Sequence, residues 1–141
     1  MTLYVETSAV LAWLLEEPGG WQAFDDLRNE DRVVTSELTL IECDRVIHRR
    51  VANGWIDVSQ VQRLRTELAE VSSAWNITPI GPEVVDRARA SFPDDLIRTL
   101  DAIHLASAMT ARVSLGNVDL LTLDDRIRST GLLLGFRVLP A

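Results

Sequence analysis

The sequence predicts an α/β protein, a three-layer α/β/α sandwich with a central, mainly parallel sheet, forming one domain over residues 1–141. Three observations predict it. Short apolar or β-branched runs alternate with longer stretches of helical spacing, the pattern of a parallel sheet covered on both faces. A chain of 141 residues buries roughly two thirds of its unfolded surface on folding, enough for one core and too little for two. Finally, Glu6 and Asp124 each follow an apolar run directly. Acids in that position emerge at the carboxyl ends of parallel strands, where such sheets bind their ligands.

Taken in order, Leu3-Tyr4-Val5 is a short apolar strand that leads through Glu6-Thr7-Ser8 into a helix from Ala9 to Leu15. Pro18-Gly19-Gly20 breaks the chain before a second helix, Trp21 to Arg28. Arg32 to Thr35 is the next strand, and Ser36 is the N-cap of a helix running to Ala52, where Asn53-Gly54 ends it. Asp57 to Ser72 is helical, Trp75 to Ile80 a third strand, and Pro82 opens a helix to Ala90 that Pro93 closes off. Leu100 to Ala111 is apolar on nearly all sides, as in a buried helix. Val118 to Leu123 is a strand, Asp124-Asp125 leaves it, and Phe136 to Leu139 forms a last short strand.

Composition narrows the chemistry. Hydrophobic residues make up 47% and charged residues 25%, an ordinary globular balance. Cys43 is the only cysteine, so an intrachain disulfide and a thiolate metal site are both excluded. The N-terminus has neither the basic region nor the apolar stretch of a signal peptide, and no apolar run reaches membrane-spanning length, so the expected location is cytoplasmic. Net charge is −7 and every basic residue is Arg. Binding nucleic acid by bulk charge is therefore disfavoured, whereas carboxylates that hold divalent cations, with Arg at the rim, can still engage phosphate.

Each acid taken alone has a plain structural explanation. Glu6 and Asp124 suit helix N-termini, where the macrodipole favours negative charge. Glu42 lies off the apolar stripe of Leu40, Cys43, Ile47 and Val51, and periodicity alone pairs it with Arg45 or Arg49 on the surface. Asp101, near the start of an apolar helix, needs partners or a cation. His104 within that helix reads as a structural core histidine, and Trp13, Trp21, Trp55 and Trp75 as core or interface residues rather than a base-stacking platform. Arg45, Arg49 and Arg98 read as solvated surface or as contacts to phosphate.

Four segments in order, Leu3-Tyr4-Val5-Glu6-Thr7-Ser8-Ala9, Thr39-Leu40-Ile41-Glu42, Thr99-Leu100-Asp101-Ala102-Ile103-His104-Leu105-Ala106 and Leu121-Thr122-Leu123-Asp124, resemble the motifs of PIN-domain ribonuclease toxins of the VapC type, from VapBC type II toxin-antitoxin pairs. The resemblance spans nearly the whole chain. It implies a PIN-like fold in which Glu6, Glu42, Asp101 and Asp124 form one acidic pocket for Mg²⁺ or Mn²⁺, with Thr7, Ser8 and Thr122 orienting them. It further implies an endoribonuclease that cleaves RNA with metal-activated water and no His or Lys base, an antitoxin partner that wraps the toxin, and a homodimer within the toxin-antitoxin complex. Leu11, Leu14 and Leu15 would then line a partner face, or else pack in the core. One position departs from the pattern, because the family's first acid is Asp and this chain has Glu6, whose extra methylene moves the carboxylate by about 1 Å. That departure keeps a second reading alive, a catalytically weakened PIN-like module acting mainly by binding antitoxin or RNA. A receiver-type phosphoacceptor, which also gathers carboxylates at a sheet edge, would resemble its family only with a late Lys, and this chain has none.

Overall fold

The computed structural model describes all of residues 1–141. In chain order the elements are β1 (Thr2–Val5), α1 (Thr7–Leu14), α2 (Gly20–Arg28), β2 (Arg32–Ser36), α3 (Glu37–Ala52), α4 (Val58–Ser72), β3 (Asn76–Thr78), α5 (Pro82–Arg89), α6 (Thr99–Leu115), β4 (Val118–Leu121), α7 (Asp125–Leu133) and β5 (Val138–Leu139). The strands form one sheet in the order β3-β2-β1-β4-β5. Every pairing in it is parallel.

Strand alternation sorts the core into two layers. Leu3, Val5, Val33, Leu121 and Leu139 face residues of α1, α2, α3 and α4, such as Ala9, Leu27, Cys43 and Leu68. Tyr4, Val34, Leu120 and Val138 face the opposite side, against Leu105 and Ala108 of α6 and Ile127 of α7. Because both faces are covered, the strands read as continuous apolar runs rather than polar/apolar alternation. Leu14 is buried, and Leu11 and Leu15 pack against the first layer, so the core explanation holds for these leucines. Trp75 is buried and Trp13 stacks on Phe24 at 5.0 Å, whereas Trp21 and Trp55 are largely exposed.

Local signals set most boundaries. Ser36 caps α3 by accepting from the Leu38 N–H at 3.1 Å. Before α4, the Asp57 N–H donates to Gln60 Oε1 at 2.8 Å, and Pro82 sits in the first turn of α5. Several boundaries differ from expectation: β4 ends at Leu121 rather than Leu123, α6 runs on to Leu115 rather than stopping at Ala111, and β3 and β5 are shorter. β3 spans only Asn76–Thr78, since the Trp75 N–H still closes the end of the α4 turn on Ser72 and Pro79 has no N–H for a ladder. β5 spans only Val138–Leu139, because the Phe136 N–H turns back to the Gly131 carbonyl. α7, between Asp124 and Phe136, is a helix where the sequence pattern predicts no element. Gly131 weakens the helical pattern there, yet a Cβ on it would lie 2.6 Å from Leu120 Cδ2, so its absence lets α7 lie directly on β4.

Candidate active site

The chain leaves β1 for β2 on one side of it and later returns to β4 on the other. Connections that depart in opposite directions open a crevice at the carboxyl ends of the two central strands. Glu6 directly follows β1 and Asp124 lies three residues beyond the end of β4, so this crevice is where they emerge.

Glu6 is only 5% exposed. Its Oε2 accepts from Ser8 Oγ in a short hydrogen bond and from Thr122 Oγ1 at 2.8 Å. Those hydroxyls in turn accept from the start of α7: the Leu123 N–H bonds Ser8 Oγ at 2.8 Å and the Asp124 N–H bonds Thr122 Oγ1 at 3.1 Å. Burial pushes the Glu6 carboxyl above the ordinary carboxylate range, and His104 and the hydroxyl donors offset only part of that.

Glu42 does not pair with Arg45 or Arg49. It turns inward, where Oε1 accepts from Thr7 Oγ1 at 2.8 Å and from His104 Nε2 at 2.6 Å. Burial opposes its ionisation, but the bonds from His104 and Thr7 win, and its carboxyl lies below the usual value. On its other side the His104 ring meets the Tyr4 hydroxyl, 2.9 Å from Nδ1. His104 is buried and hydrogen-bonded, as the sequence suggested, and its partners are the Glu42 carboxyl and the Tyr4 hydroxyl. This link was not legible in the sequence, because Tyr4 and His104 are a hundred positions apart and each sits in an apolar run.

Asp101 and Asp124 line one open depression of about 430 Å³ with Arg98, Leu123, Asp125 and Arg126. Asp124 Oδ1 caps α7 by accepting from the Ile127 N–H at 2.9 Å, and Asp101 Oδ2 accepts from the Arg98 N–H at 3.3 Å. The four acids thus stand as two pairs at one sheet edge, one around His104 and one around the depression, with Thr122 between Glu6 and Asp124. None of the four tryptophans lines the depression.

The donors match a hard divalent cation in chemistry. Each carboxylate has one oxygen held by the protein, and its other oxygen makes no hydrogen bond; such half-engaged carboxylates suit Mg²⁺ or Mn²⁺. Cys43 offers no alternative, since its thiol is buried and pushed up to about 12. As they stand, no three acidic, His or Cys side chains come close enough together to enclose an ion, so ligation by all four requires the two pairs to approach.

The PIN domain family model matches residues 3–133. Among curated proteins, Ribonuclease VapC46 of Mycobacterium tuberculosis (strain ATCC 25618 / H37Rv) is 32% identical over 139 residues, covering 97% of this chain and 95% of that protein. Ribonuclease VapC35 of the same strain is 32% identical over 128 residues, covering 89% and 87%. Among solved structures, VapBC2 from Rickettsia felis bound to a DNA fragment from its promoter superposes with a TM-score of 0.67 at 10% identity, over 98% of this chain and 97% of that one. A toxin-antitoxin complex from Klebsiella pneumoniae gives 0.57 at 22% identity, over 88% and 87%. At such identities the structures establish the fold, and the family model and near-full-length relatives establish descent: the chain belongs to the PIN-domain family, and within it to the VapC type.

Proposed function

We propose that this protein is the toxin of a type II toxin-antitoxin pair, an endoribonuclease that hydrolyses RNA phosphodiester bonds with Mg²⁺ or Mn²⁺. The observation that carries the reading is the placement of Glu6 with Glu42, and of Asp101 with Asp124, as two pairs of acids at one sheet edge, each acid with one oxygen that makes no hydrogen bond. Similarity to ribonucleases VapC35 and VapC46 supports the nuclease, and the likeness in fold to VapBC2 and to a toxin-antitoxin complex accords with an antitoxin partner. A homodimer within that complex belongs to the same reading.

A divalent cation bound there would lower the pKa of a water for attack on phosphorus and neutralise charge on the phosphoryl oxygens. The chain's own groups do the rest. Asp101 and Asp124 present oxygens to the open depression, where RNA has access. Ser8 and Thr122 hold Glu6, and Thr7 holds Glu42, so neither carboxylate swings freely. Exposed Arg98 and Arg126 border the depression and can grip the phosphates on either side of the reacting one. His104 is committed to Glu42 and Tyr4, which leaves no imidazole nitrogen for proton transfer to substrate.

The test is cleavage of total RNA by the purified protein with Mg²⁺ or Mn²⁺, against chelator and against Asp101→Ala. Discrete products that need metal and vanish in the variant support the reading. Metal binding without cleavage supports the weakened binding module instead, and makes Glu6→Asp the next variant.

A further inference from the structure

The geometry points to His104 as the positioning residue of the metal site, a buried bracket whose Nε2–H fixes Glu42 beside Glu6 while Tyr4 fixes the ring. The inference rests on the function proposed above.

Glu42 lies on the flank of a surface helix with its side chain 24% exposed. Without a partner, a Glu there would sample many rotamers in water, and holding it still costs side-chain entropy. Three elements act together to hold it. From α6, Nε2 lies 2.6 Å from Glu42 Oε1; from the start of α1, Thr7 Oγ1 donates to the same oxygen at 2.8 Å and stands 3.1 Å from Nε2; from β1, the Tyr4 hydroxyl lies 2.9 Å from Nδ1. An ionised carboxylate can only accept, so Nε2 is the protonated nitrogen of this bond. The Tyr4 O–H then donates to Nδ1, which fixes both the tautomer and the plane of the ring. The same Nε2 is 3.9 Å from Glu6 Oε1. A single N–H therefore spaces two carboxylates that would otherwise repel, and leaves Glu42 Oε2 unengaged. His104 itself is 1% exposed, which keeps it from substrate and makes it a positioning residue rather than a catalytic one.

A purely structural histidine would affect stability and leave ion affinity alone. The experiment is Mn²⁺ binding to the whole protein, followed by calorimetry without RNA, with thermal melting of each variant alongside. His104→Phe fills the same space without the N–H, and is expected to weaken Mn²⁺ binding by about 10- to 100-fold, the usual effect of losing a group that orients a ligand. His104→Gln carries an amide N–H to nearly the Nε2 position and retains most of the affinity. Tyr4→Phe, which frees the ring, loses affinity in the same direction by less. Equal Mn²⁺ affinity for wild type and a folded His104→Phe overturns the inference and leaves the proposed function standing. Should the Phe variant not fold, His104→Asn takes its place: its amide stops short of Glu42, and an Asn variant that binds as tightly as Gln overturns the bracket equally. Wild type that binds no Mn²⁺ defeats the metal-dependent function itself, and the inference with it.

Discussion

Glu6, which is buried, and Glu42, which is half-buried, carry opposite pH signatures. Glu6 has a folded pKa raised by burial. Its contribution is full below the unfolded value of 4.5 and is lost as pH rises through the folded pKa, so the ionised carboxylate destabilises the metal-free protein at neutral pH. Glu6→Gln should therefore melt at a higher temperature than wild type at pH 7 without divalent ions, and the gap should close below about pH 4.5. Glu42 has a depressed pKa, because His104 and Thr7 bond its ionised form. Its stabilisation is present above 4.5 and disappears as pH falls through the folded value. Glu42→Gln should consequently be the less stable protein at pH 7 and indistinguishable in strong acid. One melting series across pH checks both, and Glu6→Gln less stable than wild type at pH 7 would show that the carboxylate is better satisfied than its burial implies.

At the scale of elements, the start of α2 lies so close to the backbone of α1 that no side chain fits at Gly20. A Cβ on Gly20 would stand 2.3 Å from the Ala12 carbonyl oxygen, a backbone atom that cannot rotate aside. Gly20→Ala is expected to cost about 1–3 kcal/mol, the range for overpacking, read from the denaturant midpoint. The cap of α3 matters in a different way, because that helix carries Glu42. Ser36→Ala leaves the Leu38 N–H without its side-chain acceptor and should cost about 1 kcal/mol. Full stability of that variant would mean that water caps the helix as well as the hydroxyl does.

The whole molecule is acidic, at net −7, and its candidate site is acidic too, so an RNA substrate of the proposed kind would be held against the average field. Ion pairs take up Arg28, Arg50, Arg65 and Arg137, whereas Arg98 and Arg126 at the depression have none. If these two grip single-stranded phosphates, Arg98→Ala and Arg126→Ala each weaken binding and lower the slope of log affinity against log salt by about 0.7. Arg65→Ala, which breaks a pair with Asp44 on the α3–α4 side, should leave the slope alone. Fluorescence anisotropy of a short labelled RNA on the Asp101→Ala protein, at several salt concentrations, measures it. Unchanged slopes in both variants would move the RNA path away from the depression.

Much of this molecule was written in local pattern. Apolar runs, Gly and Pro breaks and the Ser36 cap are short-range features, since a few adjacent residues decide them, and they delivered the layered sheet and the acids at its edge. The family motifs then singled out Glu6, Glu42, Asp101 and Asp124, with Thr7, Ser8 and Thr122, and in the fold each of these hydroxyls does bond one of these acids. What stayed hidden depended on residues far apart in the chain. The helical pattern of α7 was masked by Gly131, whose worth lies in its contact with Leu120. Helical periodicity put Glu42 on an Arg-bearing face, and only the arrival of α6 behind it supplied a stronger partner than water or arginine. Tyr4, Glu42 and His104 become one network because β1, α3 and α6 pack at a single point. Local sequence determines which elements form and which faces are apolar; packing alone decides which polar groups are buried together, because a hydrogen bond's geometry is set only when both of its partners are in place.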